Sequence, residues 1–307
     1  YAEFVEAFSN TAIPEYLPHA FFIEGGALGV ENALKVAFDW KVRKNMEKGK
    51  GEKGGKIIHF KQAFHGRTGY TLSLTNTSDP RKTMYFPKFD WPRIDIPKLS
   101  FPITDIVLQE VEKNERIAID QIKTALANNK DDVAALIIEP IQGEGGDNHF
   151  RDDFFVALRQ LCDENEMLFI MDEVQTGIGI TGKWWAHQHF SVKPDIISFG
   201  KKTQVCGLLA GPRVEEVENN VFSESSRINS TFGGNLADMV RFHIILEIME
   251  KENLLENAKN MGDFLLGELG NLAEEFPAYV TNPRGLGLFA AFSVSKSHKI
   301  YACVSSD

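Results

Sequence analysis

The chain has 307 residues, 43% hydrophobic and 25% charged, enough to bury the core of one large domain and part of a second. Its 33 basic and 43 acidic residues give a net charge of -10, which argues against a nucleic-acid backbone as partner, because such binders need a basic surface to displace counterions. No window approaches about eighteen uncharged apolar residues, so no membrane-spanning helix is expected. Cys162, Cys206 and Cys303 lack CxxC spacing and suit a reducing compartment, with the cytoplasm as the expected location.

The chain begins at Tyr1 rather than Met and reads as a piece of a longer protein, from which a targeting peptide has room to have been removed. After apolar FFI, Gly25-Gly26 opens an amphipathic helix with Val30, Leu34, Ala37 and Phe38 at helical spacing. The stretch KGKGEKGGK (48–56) combines glycine with charge and is expected to be a solvated loop. It is not a phosphate-binding Walker loop, because Lys50 stands where the first glycine belongs and Ile57 where Ser or Thr is required. Next come short Ile-rich runs, KIIHF (56–60), AALIIEP (134–140), MLFIMDEV (167–174) and DIISF (195–199), of the kind found in strands buried on both faces. Helical patterns lie between them, such as 152–165 with Phe155, Leu158, Leu161 and Cys162 on one stripe. This alternation predicts an α/β domain around a mostly parallel sheet. The charged runs within 247–275 read as the solvated face of a helix pair.

In such sheets ligands bind beyond the carboxyl ends of the strands, so the polar residues there are the candidates. Gly25-Gly26 leaves bare N–H groups at a helix N-terminus, suited to a phosphate, although an ordinary strand-to-helix turn would look the same. KQAFHGRTGYT (61–71) sets Phe64, His65 and Arg67 on a Gly-hinged loop, able to stack on a ring and hold a carboxylate, or equally a core Phe beside a surface Arg. Glu139 and Glu144 in EPIQGEGG fit an acid/base pair or metal ligands, yet no His and Asp partners for a metal accompany them, and none is expected. Asp172 and Glu173 follow five apolar residues, where a carboxylate is costly unless a cation pairs with it. Lys201 and Lys202 then end DIISFGKK (195–202). A persistent carboxylate for a ring nitrogen and an imine-forming lysine are two requirements of pyridoxal phosphate chemistry.

The order of these segments resembles the class III (omega) aminotransferases of PLP fold type I. The likeness runs from about Phe21 to Phe292, through EGGALGVENALK, DWPR, EPIQGEGGDNHFR, MDEVQTGIGITGKWWAHQHF, FGKKTQVCG and NSTFGGNLADMVR. It is greatest to the members acting on the terminal amino group of L-lysine. The resemblance implies a lead-in segment at 1–20, a PLP-binding large domain at 21–275 and the beginning of a small C-terminal domain at 276–307. It implies that Gly26 and Ala27 bind the phosphate, that Phe64 stacks on the pyridine with His65 beside it, and that Glu139 is among the cofactor-binding residues. Asp172 would pair with the pyridine nitrogen, Val174 pack on the ring and Gln175 lie near its hydroxyl. Arg67 would clamp a substrate carboxylate, and Glu144 would gate a second arginine in the missing C-terminal part. Asn229 would help select lysine, and Thr231 would reach the phosphate of a neighbouring subunit, so a homodimer with shared sites is implied.

The family pattern puts the imine on Lys201, the residue directly after FG, and leaves Lys202 a solvated bystander. The activity implied is transfer of the amino group of L-lysine to 2-oxoglutarate, giving 2-aminoadipate 6-semialdehyde and glutamate. Ornithine or 4-aminobutyrate as donor and a non-catalytic remnant are the alternatives. A nicotinamide dehydrogenase is disfavoured because no GxGxxG is present. His187 and His189 form a weak metal set, Trp184 and Trp185 fit core or subunit packing, and Cys206 fits a small buried hydrophobe.

Overall fold

The computed structural model describes residues 1–294. Helix α1 (Ala2–Thr11) leads into strand β1 (His19–Ile23) and the long helix α2 (Gly26–Glu47). Strand β2 (Lys56–Phe60), the one-turn helix α3 (Thr71–Leu74), the short strand β3 (Arg93–Ile94) and helix α4 (Asp105–Asn128) follow. The centre is built from β4 (Val133–Ile138), α5 (Asp152–Glu164), β5 (Leu168–Asp172), β6 (Ile196–Phe199) and β7 (Cys206–Ala210). Helices α6 (Leu236–Lys251) and α7 (Leu254–Glu275) and the hairpin β8 (Val280–Leu286) and β9 (Phe289–Val294) complete the described chain.

Seven strands form one sheet in the order β1-β7-β6-β5-β4-β2-β3. The pairs from β3 through β2, β4 and β5 to β6 are parallel. Strand β7 runs antiparallel to both β6 and β1, so β1 again points the same way as β6. Thus β1, β2, β4, β5 and β6 all end on one edge, and the segments that follow them converge there.

Successive residues of a strand face opposite sides, and both sides are apolar here. On β5, Phe169 and Met171 join one core cluster while Leu168 and Ile170 join the other. Helix α2 covers the second side with Val30, Ala33, Leu34, Ala37 and Trp40, a stripe of helical period. The first side is covered by α1, α5 and α6, where Phe4, Phe8, Phe22, Phe199 and Phe242 meet in edge, tilted and stacked pairs. Each such ring contributes roughly 1.5–3 kcal/mol by leaving water.

The strands end earlier than the apolar runs suggest, since Glu139 and Pro140 lie beyond β4 and Glu173 and Val174 beyond β5. The 48–55 loop is solvated as expected, and it is anchored: Asp132 accepts from the N–H groups of Gly54 and Gly55, and Lys50 pairs with Asp131. The charged residues within 247–275 of the helix pair α6–α7 are solvated as expected, and apolar residues share the exposed surface. Val240, Ile244, Ile248, Met261 and Phe264 are all exposed on it.

Among the described residues no helix is long and apolar enough to cross a membrane.

Candidate active site

Asp172 ends β5 and is only 3% exposed. One carboxylate oxygen accepts from Ser198 Oγ (2.8 Å) and the Val174 N–H (3.1 Å); the other accepts from His65 Nδ1 (2.7 Å). Ser198 is the polar residue of β6 standing opposite Asp172 in the parallel register. Burial alone would lower the His65 pKa, but the hydrogen bond and charge of Asp172 and the charge of Glu139 together hold it above the ordinary value. The other ring nitrogen of His65, Nε2, is buried without a partner, an unusual state for a polar atom inside a protein.

Glu139 follows β4 and its two oxygens accept from the N–H groups of Phe64 (2.9 Å) and Gly143 (3.2 Å). Burial pushes its carboxyl up to about 7, His65 opposing and Asp172 reinforcing the rise. Glu139 therefore ties the 61–67 loop to the loop that carries Glu144. The Phe64 ring lies beneath Lys82, whose amine is 5.9 Å from its centre. Glu144 Oε1 accepts from Thr77 Oγ1 (2.7 Å) and Lys82 Nζ (2.5 Å), while its Oε2 is buried and unpartnered.

The start of α2 completes the floor. Gly25 has φ 90°, a conformation that favours glycine, and Gly26 approaches so closely that an added Cβ would stand 2.8 Å from Val174 Cγ1. A Cβ on Gly200 would in turn meet the Gly26 Cα at 3.2 Å. The ends of β1, β5 and β6 thus touch. The loop after Phe64 and His65 lies against Ala27, with Gly66 packed on its Cβ.

Lys201 leaves β6 with φ 53° and an exposed side chain. Lys202 corrects the expectation of a solvated residue: its Nζ donates to the Gln175 carbonyl at 2.5 Å, and burial, then the charge of Lys201, bring its pKa down to about 8. The Gln175 side chain packs against Gly143. Arg67 is exposed and borders a cavity of about 660 Å³ with Leu72, Lys82, Phe86 and Phe89. Asn229 and Thr231 sit exposed on the loop before α6, and Asn229 Oδ1 accepts from the Ser230 N–H. No hydrogen bond of either among the described residues reaches the strand ends.

Sequence reasoning passed over Ser198, Lys82 and Thr75, whose Oγ1 accepts from the His65 N–H and donates to the Gly66 carbonyl. Only Ser198 carried a signal, as the one polar residue inside IISF. It also read His187 merely as a poor metal ligand. His187 Nδ1 is bonded to Glu173 (2.9 Å) and its Nε2 to the Tyr16 hydroxyl (2.6 Å).

Residues 1–305 match the family model for aminotransferase class-III. The chain belongs to the class III aminotransferase family. It is 54% identical over 294 residues to the L-lysine-epsilon aminotransferase of Mycobacterium tuberculosis, a match covering 95% of this chain and 65% of that protein. The corresponding enzyme of Streptomyces clavuligerus is 48% identical over 291 residues, 95% of this chain and 63% of its own length. A solved lysine aminotransferase from M. tuberculosis superposes with a TM-score of 0.93 at 54% identity, over 95% of this chain and 67% of that one. The chain spans less than two thirds of the length of these curated relatives. Class III aminotransferases use pyridoxal phosphate, and the residues of this class III site fit that group. Bare N–H groups open α2 where a phosphate is favoured, a buried carboxylate faces the same floor, and an amine stands one strand away.

Proposed function

We propose that the protein is an aminotransferase that moves the terminal amino group of L-lysine to 2-oxoglutarate, giving 2-aminoadipate 6-semialdehyde and glutamate. The observation that carries this reading is the meeting of the α2 N-terminus, the buried Asp172 and the Lys201 turn at one edge of the sheet. The lysine-specific part is supported by the 54% identity to lysine aminotransferases.

Pyridoxal phosphate, when bound, supplies an aldehyde that captures amines and a ring that accepts an electron pair. Gly26 and Ala27 would hold its phosphate through backbone N–H groups, and Phe64 and Val174 would pack against its ring. Asp172, oriented by His65 and Ser198, would keep a proton on the ring nitrogen. Gln175 lies near the ring hydroxyl, and Glu139 fixes Phe64 in place through its N–H group. Lys201 would anchor the cofactor at rest and carry the proton at Nζ during turnover. Arg67 binds a substrate carboxylate, Glu144 adjusts the site to alternating substrates, and Asn229 contributes to lysine selection. Thr231 completes the phosphate site of a second copy, which makes the functional unit a homodimer. The free, buried Cys162 and Cys206 support a cytoplasmic setting.

The test is to load the protein with pyridoxal phosphate, reduce with borohydride and map the labelled peptide. The label is expected on Lys201 and lost in Lys201→Ala, with Lys202→Ala still labelled; label on Lys202, or on neither, refutes the assignment. A panel of amino donors with the aldehyde product identified then separates lysine from ornithine and 4-aminobutyrate.

A further inference from the structure

Arg284 lies on β8, far along the chain from the strand-end residues, and is 8% exposed. Its guanidinium is spent largely on backbone carbonyls. Nε donates to the carbonyls of Gly146 (3.2 Å) and Asp147 (3.0 Å), and Nη2 donates to Gly146 again (2.5 Å). Nη1 donates to the Asn282 carbonyl (2.8 Å) and to Ser293 Oγ (3.3 Å), both in its own hairpin. Among the described residues no carboxylate lies within ion-pair distance of it. The charge of Asp147 acts on Arg284, but its hydrogen-bond acceptors are all neutral, and each carbonyl it loses leaves a charged donor unsatisfied.

The acceptors belong to the loop whose tip is Glu144. That loop is closed at its base by the reciprocal backbone bonds of Gln142 and Asn148 and pinched by the Gly146 and Asp147 N–H groups on the Gly143 carbonyl. Gly146 and Asp147 have φ of 112° and 48°. These conformations make the loop's two carbonyls a fixed receptor for a forked donor. The hairpin end of the linkage is equally firm. Leu288 N–H donates to the Ile180 carbonyl at 2.8 Å, and Gly287 packs directly on Gly262 of α7.

We propose that Arg284 is a positioning residue that holds the Glu144 loop in register with the β8–β9 hairpin, so that the hairpin's placement sets where the Glu144 carboxylate stands. The inference rests on the reading above that Glu144 faces substrate. Glu144 is not the group that Arg284 touches; the coupling runs through the loop backbone.

The test uses the protein with cofactor bound and compares Arg284→Met, Glu144→Gln and the double variant. In Arg284→Met, amide hydrogen exchange of 143–148 should accelerate about tenfold, the loss of ~1.4 kcal/mol, with exchange in β4 and β5 and the cofactor absorbance unchanged. The apparent KM values of the donor and oxo-acid half-reactions, followed separately by cofactor absorbance, should shift in the same ratio as in Glu144→Gln. The double variant should match Glu144→Gln alone. Arg284→Lys, which keeps the charge but cannot fork, should give a smaller effect in the same direction and serves if the methionine variant does not fold. Unchanged exchange of 143–148, or additive effects in the double variant, would overturn the coupling. If Glu144→Gln leaves both half-reactions unmoved, the substrate-facing reading of Glu144 is what fails, and the proposal in its full form fails with it.

Discussion

Asp172 and Glu173 are consecutive carboxylates, 3% and 1% exposed, yet they serve two different regions. Glu173 turns away from the strand-end floor and accepts from Thr176 Oγ1, the N–H groups of Ala186 and His187, and His187 Nδ1. Its histidine is satisfied on the far side by Tyr16, so the group is a closed network. Asp172 also takes a histidine, but the far nitrogen of His65 has no partner. Burial is therefore common to both, and what separates the two carboxylates is the hydrogen-bonding capacity left over beside Asp172. Two buried polar atoms without a partner, His65 Nε2 and Glu144 Oε2, lie at the strand ends, and Asn32 Oδ1, His149 Nε2 and Thr203 Oγ1 are the others among the described residues.

That contrast can be broken from either side. The largest effect on stability is expected in Glu173→Ala, which strands His187 and two buried N–H groups; urea unfolding should show a loss of about 3–5 kcal/mol. Turnover per folded molecule should fall far less. The reverse pattern is expected for Asp172→Asn: a drop in turnover of roughly 10²–10³-fold, about 2.7–4 kcal/mol, with an unfolding midpoint that moves less than in Glu173→Ala. Equal loss of stability in both variants, with turnover retained in Asp172→Asn, would erase the distinction.

A smaller effect concerns pH. Glu139 binds a proton more tightly folded, at about 7, than its ordinary 4.5. Its contribution to stability is thus complete below pH 4.5 and is lost as pH rises through about 7; the raised pKa of His65 acts in the same direction. Glu139→Gln removes that ionisation and should flatten the decline across this window by ~1–3 kcal/mol at pH 7. Urea midpoints at several pH values in wild type and variant provide the comparison. An undiminished slope would place the titration on another group.

The central strands were legible because burial on both faces writes uninterrupted apolar runs, and a parallel sheet directs attention to the residues after them. Hence Glu139, Asp172 and the pair Lys201 and Lys202 could be singled out as candidates from position, while the family likeness chose Lys201 between the two lysines. Their partners could not. Lys202 and Gln175, Lys82 and Glu144, and Arg284 and Gly146 are joined only by the folded chain, and a lysine or arginine in sequence looks the same whether it ends in water or on a carbonyl. The exposed apolar stripe of α6 was hidden for a related reason, since periodicity marks which residues share a face but not which face is covered.

The antiparallel placement of β7 has a consequence for the lysine turn. A parallel successor to β6 would require a long crossover, whereas here the chain turns straight back and only 200–205 separates the two strands. Lys201 is therefore carried on a short tether clamped at both ends within one sheet, with little backbone freedom to lose. An amine held this way acts at an effective molarity set by the scaffold rather than by solution. In the role proposed for Lys201, a free amine taking its place would compete with that local concentration, so the fold would set how readily this lysine is exchanged for an incoming amine.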